Sequence, residues 1–315
     1  MSLPINHIIG LLSDNLKLRK SVLPLSKKSV TNWAKGLNIP KTSERVLYTG
    51  HMYQLMPSIA FLGKIIGMLE NSALNKTLGL VRVFNKIINV SMFITWPSRK
   101  IRNLYDKRLR NIAEMLTRSG IEYGYLYEKE MYTGALIYDM GVDDVFIKHA
   151  HRVYKRLKDK GVTSVITVDP HTTEMLKDIY PKFIKDYKLE VKSYLEVLNE
   201  VDITVNNIPD KNVVVHDSCI YARGLGVLNQ PVKILEKAGV NILELNDSKK
   251  LTQCCGGPIE SLFPAKSGEI AKKRVDQLSK NGCKEIVSMC PICLFNLQHA
   301  AGNIEIEIKD ISEYF

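Results

Sequence analysis

The chain repeats itself, and the repeat restricts the fold more than any single motif does. Lys160-Gly161-Val162-Thr163-Ser164-Val165-Ile166-Thr167-Val168-Asp169-Pro170 runs parallel to Asn281-Gly282-Cys283-Lys284-Glu285-Ile286-Val287-Ser288-Met289-Cys290-Pro291. Upstream, Met131-Tyr132-Thr133-Gly134 stands where Gln253-Cys254-Cys255-Gly256 stands in the second copy. Further back, Val46-Leu47-Tyr48-Thr49-Gly50-His51 matches Val214-Val215-His216-Asp217-Ser218-Cys219. Each copy reads strand, loop, helix, strand, glycine turn, long helix, strand, Xaa-Pro-Xaa-Xaa, helix. Such alternation predicts a parallel sheet covered by helices. The expected fold is α/β, with two pseudo-symmetric parallel-sheet domains covered by helices. Their expected bounds are 46–200 and 201–315, after a basic leader over 1–45 with a helix from about Ile5 to Leu18. An insertion over about 58–103, absent from the second copy, reads as two amphipathic helices, Ile59–Leu69 and Thr77–Val90, ending at Trp96-Pro97. A length of 315 residues suits two modest cores.

The two copies differ in their thiols. All six cysteines fall in the second, five of them in one pattern: Cys219, Cys254-Cys255 followed by Gly256-Gly257-Pro258, and Cys290-Pro291-Ile292-Cys293. An adjacent pair before two glycines aims two thiolates at one small object while the backbone turns beneath them, since Gly256 and Gly257 are free to take positive φ. Cys290-Pro291-Ile292-Cys293 follows an apolar strand and precedes a helix, with Pro291 suited to the first helical turn. Helix-start N–H groups favour thiolate over thiol. No secretory pattern opens the chain, since Ile8-Ile9-Gly10-Leu11-Leu12 is short and followed by Asp14. Clustered cysteines therefore read as metal ligands rather than disulfides, in a protein expected in the cytoplasm. The residues alone leave open an iron–sulfur cluster, with all five thiolates or with four and a spare, and a tetrahedral zinc site. Cys283, before a strand, reads as a small buried apolar residue.

This arrangement resembles the cysteine-rich CCG domain of heterodisulfide reductase B/D-type subunits. It does so at His216-Asp217-Ser218-Cys219 with Arg223 beyond, at Cys254-Cys255-Gly256-Gly257-Pro258 and at Cys290-Pro291-Ile292-Cys293. The resemblance extends from about Val46 to the C-terminus. It implies a noncubane [4Fe–4S] cluster ligated by Cys219, Cys254, Cys255, Cys290 and Cys293, in which one iron opens to a substrate sulfur. His216, three residues before Cys219, reads as a group that hydrogen-bonds a cluster sulfur or gives a proton to a leaving thiolate, or as a capping or core histidine that holds the loop. Arg223 reads as compensation for cluster charge or as a helix cap. Relatives carry a second histidine after the first cysteine, where this chain has Ile220. The activity implied is electron transfer between a partner subunit and a thiol/disulfide couple, as a subunit of a heterodisulfide reductase-like oxidoreductase. The C-x2-C-x2-C ferredoxin module of longer members is missing. The expected partners are thus a ferredoxin-like or heterodisulfide reductase C-type iron–sulfur subunit and a flavoprotein subunit. The competing reading is a non-catalytic scaffold or assembly subunit holding zinc or a cluster.

In the family both copies often carry the cysteines, whereas here the first has none. His51 replaces the first ligand, Tyr132 and Thr133 the pair, and Asp169 and Thr172 the last two. An iron–sulfur cluster needs thiolates or, less often, histidine, so none is expected there. The first copy then serves packing and partner binding, or His51, Tyr132, Asp169 and His171 line a polar pocket at the C-terminal ends of strands, where α/β folds bind ligands.

The net charge of +11 concentrates in the leader and in Arg99–Arg110. It suits docking to an acidic redox partner or a solvated surface. Nucleic acid is not the expected partner, since no helix-turn-helix, zinc-finger or single-strand-binding signature accompanies the charge. The apolar-rich stretch Thr77–Trp96 carries Arg82 and Lys86 and reads as an amphipathic helix, so no membrane span is expected. His149, His151 and His299 read as structural or surface residues.

Overall fold

A computed structural model describes residues 5–69, 98–203, 211–260, 262–302 and 304–315, together with Arg82 and Asn85. The predicted duplication is present. The first sheet contains β1 (Arg45–Tyr48), β2 (Gly124–Tyr125), β3 (Ser164–Thr167) and β4 (Glu190–Ser193); the second contains β5 (Lys211–His216), β6 (Val240–Ile242), β7 (Glu285–Ser288) and β8 (Glu307–Asp310). Their orders are β2-β1-β3-β4 and β6-β5-β7-β8, the same topology twice. All pairings are parallel, with Tyr48 opposite Thr167 in the first and His216 opposite Ser288 in the second. The chain therefore leaves both central strands at the same edge, and the residues after His216 and Ser288 converge there.

The strands are short apolar runs because helices cover both sheet faces. Val46, Leu47, Val165, Ile166, Val213, Val214, Ile286 and Val287 are all buried. Each such side chain contributes about 1.5–3 kcal/mol on full burial. Glu285, at the start of β7, is the exception. Lys211 at 2.8 Å and Lys309 at 3.2 Å neutralise its carboxylate, and the Tyr314 hydroxyl donates to it.

The leader packs onto the first sheet's layer. Its helix Ile5–Arg19 buries Leu12 and Leu16, and the segment after it buries Trp33, whose Nε1 donates to the Tyr125 hydroxyl at 3.3 Å. One helix, Met52–Leu69, begins directly after β1 rather than at Ile59 and carries Pro57 within it. The expected second insertion helix, Thr77–Val90, lies outside the described residues except for Arg82 and Asn85.

The halves share one continuous apolar core. Polar bonds tie them as well: Tyr53 donates to Asp310 Oδ2 at 2.8 Å, Arg108 Nε pairs with Glu313 at 3.0 Å, and Asn111 Nδ2 donates to the Ser312 carbonyl at 2.9 Å. Among the described residues, no helix is long and apolar enough to cross a membrane.

Candidate metal centre

The second half brings five of its six cysteines together. Cys219 follows β5 and caps the short helical segment Ile220–Leu225, while Cys290 follows β7 and caps the helix Pro291–Ala301. Pro291 occupies the first turn as expected, and Cys293 lies on the same turn. Cys254-Cys255 arrives on the loop ahead of Gly256, which adopts φ +78°. Gly257 does not take positive φ. Its glycine identity answers to space instead, since a Cβ there would meet Ile292 Cγ2 at 2.6 Å and Cys255 Sγ at 3.3 Å.

The sulfurs form an unbroken run. Cys254 accepts hydrogen bonds from Cys219 and Cys255, Cys255 Sγ stands 3.1 Å from Cys293 Sγ, and Cys293 bonds Cys290. All six cysteines are free thiols, and 3.1 Å is well beyond the roughly 2.05 Å of a disulfide. Cys219 and Cys254 are half-buried, whereas Cys255, Cys290 and Cys293 are buried. Access to the run is therefore from the Cys219/Cys254 side. Cys283 stands apart as a buried residue whose thiol contacts the Asn212 and Glu285 carbonyls.

Two thiols ionise before the others. Hydrogen bonds from Cys219 and Cys255, with the N–H groups of Gly256 and Gly257, bring Cys254 down to about 2. Burial opposes ionisation of Cys290, but hydrogen bonds from Cys293 and His171 more than offset it and hold the thiol well below its ordinary value. Cys219, Cys255 and Cys293 are correspondingly raised, each first through its bond to an ionised or bonded neighbour. Metal or cluster ligation takes thiolates, so this electrostatic order prepares Cys290 at one end of the run and Cys254 within it.

His216, at the end of β5, is buried beside the run; its ring, Cys255 and Cys293 offer ligand atoms all within 4.8 Å of one another. Arg274 Nε donates to His216 Nδ1 at 3.2 Å, and another Arg274 nitrogen donates to Thr252 Oγ1 at 3.2 Å. Burial first, then the Arg274 charge, lowers the ring to about 3, so His216 is neutral at physiological pH. Its Nε2 has no hydrogen-bond partner among the described residues. Arg223 is exposed and donates to the Thr252 carbonyl at 2.6 Å, bracing the loop before Cys254. Charge facing Cys255 and Cys293 comes from the buried Arg274. Sequence reading missed Arg274. The signal was its place with Ala271, Val275 and Leu278 on one face of Pro264–Leu278, a charged residue in an otherwise apolar stripe.

In the first half the equivalent positions do other work. Asp169 caps the helical turn at Pro170 by accepting from Thr172 N at 2.9 Å, replacing a ligand by an ordinary N-cap. The Tyr132 hydroxyl accepts from Leu136 N at 2.8 Å. Thr172 fills the space beside Gly50. His51 sits in the left-handed region at φ +60°, buried, with Glu130 at 3.7 Å. The His51 ring nitrogens, Thr133 Oγ1, Asp169 Oδ2 and Thr172 Oγ1 are buried with no hydrogen-bond partner among the described residues. Of the four residues expected to line a pocket, His171 instead reaches across the halves to the Cys290 sulfur. Burial disfavours its charge, but that bond, the Cys290 charge and Asp139 and Asp169 raise it to about 10. His149 is buried, with Nε2 at 2.6 Å from the Tyr132 carbonyl; His151 and His299 are exposed.

Thiolates converging at matched strand ends of a duplicated parallel frame define a cysteine-rich, metal-ligating α/β protein. The chain belongs to the CCG cysteine-rich domain family, which matches residues 98–177 and again 213–298, more than half of its length. It is a heterodisulfide reductase-like CCG iron–sulfur protein in which the first copy lacks the cysteines. It is 30% identical over 230 residues to the EtfAB:quinone oxidoreductase of Syntrophomonas wolfei, covering 66% of this chain and 32% of that protein. It is 28% identical to the probable iron-sulfur-binding oxidoreductase FadF of Bacillus subtilis, covering 60% and 28%. A third relative, one of the subunits of the dihydromethanophenazine:CoB--CoM heterodisulfide reductase of Methanosarcina barkeri, is 27% identical, covering 64% and 52%. The chain thus spans between about a quarter and a half of the length of these relatives.

Proposed function

We propose that this chain is an iron–sulfur electron-transfer subunit of a disulfide oxidoreductase, passing electrons between a partner subunit and a thiol/disulfide couple through one [4Fe–4S] cluster. The observation that carries the reading is the run of five sulfurs. A site built for four ligands leaves one thiol outside, whereas here Cys219, Cys254, Cys255, Cys293 and Cys290 are linked neighbour to neighbour. The donor set suits iron and sulfide.

The cluster, when bound, supplies one-electron chemistry and, in the noncubane form, an iron that opens to a sulfur ligand. The chain's own residues do the rest. The Gly256 and Gly257 N–H groups hold Cys254 as thiolate, and the half-buried Cys219 and Cys254 face the side from which a substrate sulfur approaches. Cys255, Cys290 and Cys293 lie buried in the core, away from water. The neutral His216 serves as a hydrogen-bonding group rather than as an imidazolium acid, and Arg223 holds the loop before Cys254. Electrons come from a ferredoxin-like or heterodisulfide reductase C-type subunit, with a flavoprotein further along, in the cytoplasm. The residues 46–200 form the cysteine-free domain and 201–315 the cluster domain, behind the leader 1–45.

A second reading has one observation in its favour. The His216, Cys255 and Cys293 ligand atoms within 4.8 Å of one another make the nitrogen and sulfur set that zinc takes, which suits a scaffold. Iron, sulfide and zinc analysis of anaerobically purified protein, with EPR of oxidised and thiol-treated samples, separates the two. About four irons with matching sulfide and a thiol-sensitive signal support the oxidoreductase; zinc with negligible iron assigns the redox chemistry to partners.

A further inference from the structure

Arg274 lies on the helix Pro264–Leu278, outside the cysteine loops, yet is only 1% exposed. A guanidinium so deeply placed is costly unless its N–H groups are used. Its Nε donates to His216 Nδ1, one other nitrogen to Thr252 Oγ1 and a third to Gln277 Oε1 at 3.2 Å. Arginine has donors only. His216 Nδ1 must therefore be the acceptor in this pair, and a neutral imidazole with an unprotonated Nδ1 carries its hydrogen on Nε2. Nε2 is buried, has no partner among the described residues, and belongs to the ring that shares its locale with Cys255 and Cys293.

We propose that Arg274 is a positioning residue that fixes the tautomer of His216, so that His216 Nε2–H donates a hydrogen bond to the sulfur site at Cys255 and Cys293. This rests on the reading that the five cysteines hold an iron–sulfur cluster. Hydrogen bonds to cluster sulfurs withdraw electron density and raise the reduction potential. Partners that fix a ring's tautomer matter to metal sites in proportion. Without Arg274 the ring is free to place its hydrogen on Nδ1 and to present a lone pair to the thiolates, which repels.

The test is a cycle of four full-length, anaerobically loaded proteins: wild type, Arg274→Leu, His216→Leu and the double variant. Each is assayed for iron content and titrated by EPR for its midpoint potential. Each single change shifts the potential to more negative values, and the double variant lies no lower than His216→Leu, because Arg274 acts through the ring. Additive shifts, as from a charge acting directly, overturn the proposal, and so does an Arg274→Leu potential equal to wild type. Should Arg274→Leu not retain iron, Arg274→Gln replaces it, since its amide N–H keeps a donor for Nδ1. Its potential stays near wild type, and a fall as large as that of His216→Leu refutes the tautomer role. Absence of iron from wild type defeats instead the reading on which the proposal rests.

Discussion

The ring of His171, from the half that has no cysteines, hydrogen-bonds the sulfur of Cys290 in the half that has all six. The helical turn Pro170–Glu174 carries this histidine, and Asp169 fixes the turn by capping it. Thr173 adds a second tie across the halves, 3.3 Å from the Tyr221 hydroxyl just beyond Cys219. The first half is thus part of the second half's site. Replacing His171 by Ala should speed iron loss to a chelator by roughly 10–100-fold, the usual range for partners of metal ligands. Chelation kinetics followed by visible absorbance check this, and a rate equal to wild type would show the bond to be incidental.

The cysteines should divide five to one. Cys290→Ser removes the thiolate at one end of the run and should abolish cluster retention while destabilising the second half, because metal binding and folding are coupled. Cys283→Ser should leave iron content and the EPR line shape unchanged, since that thiol hydrogen-bonds the Asn212 and Glu285 carbonyls, away from the run.

Glu130 should make stability fall with rising pH. Burial raises its carboxyl to about 8, despite hydrogen bonds from Thr49 that favour the charge. The folded protein therefore keeps a proton that the unfolded chain releases near its ordinary value of 4.5. The stabilisation is fully present below that value and is lost as pH rises through about 8. One such proton gives a slope of at most about 1.4 kcal/mol per pH unit. Glu130→Gln should flatten this dependence, as read from urea midpoints across the range.

Tyr53 to Asp310 is the buried polar bond that joins the helix after β1 to the end of β8. Tyr53→Phe keeps the ring and removes the donor to Asp310 Oδ2, while Oδ1 keeps its bond from Ser312 N, at a cost of about 1–3 kcal/mol. Chemical denaturation should show a lower midpoint with an unchanged m-value, leaving iron content intact.

Much of this was legible because the repeat is written in kinds of residue that act locally. Apolar runs such as Val165-Ile166 and Ile286-Val287 announce buried strands, and Pro170 and Pro291 mark the helix starts after them. The cysteine set needed only its spacing. What stayed hidden depends on contacts across long separations. Nothing beside His171 in the chain says that it faces Cys290, and Arg274 reads as solvated until the helix is turned toward His216. Arg223 illustrates the converse, since proximity to Cys219 in sequence leaves its side chain exposed and bound to the Thr252 carbonyl.

The backbone at His51 has a bearing on whether the two halves are interchangeable. His51 stands at φ +60° where its counterpart Cys219 stands at −60°, and Thr172 occupies the room beside Gly50. Writing cysteines back into His51, Tyr132, Thr133, Asp169 and Thr172 would restore the letters but not the direction in which the first thiol points. The division of labour between the copies is therefore held in the shape of a loop as well as in side chains. Point substitution alone cannot reverse it, and a two-site version of this protein would have to be made by grafting the whole segment from Ser218 to Leu225.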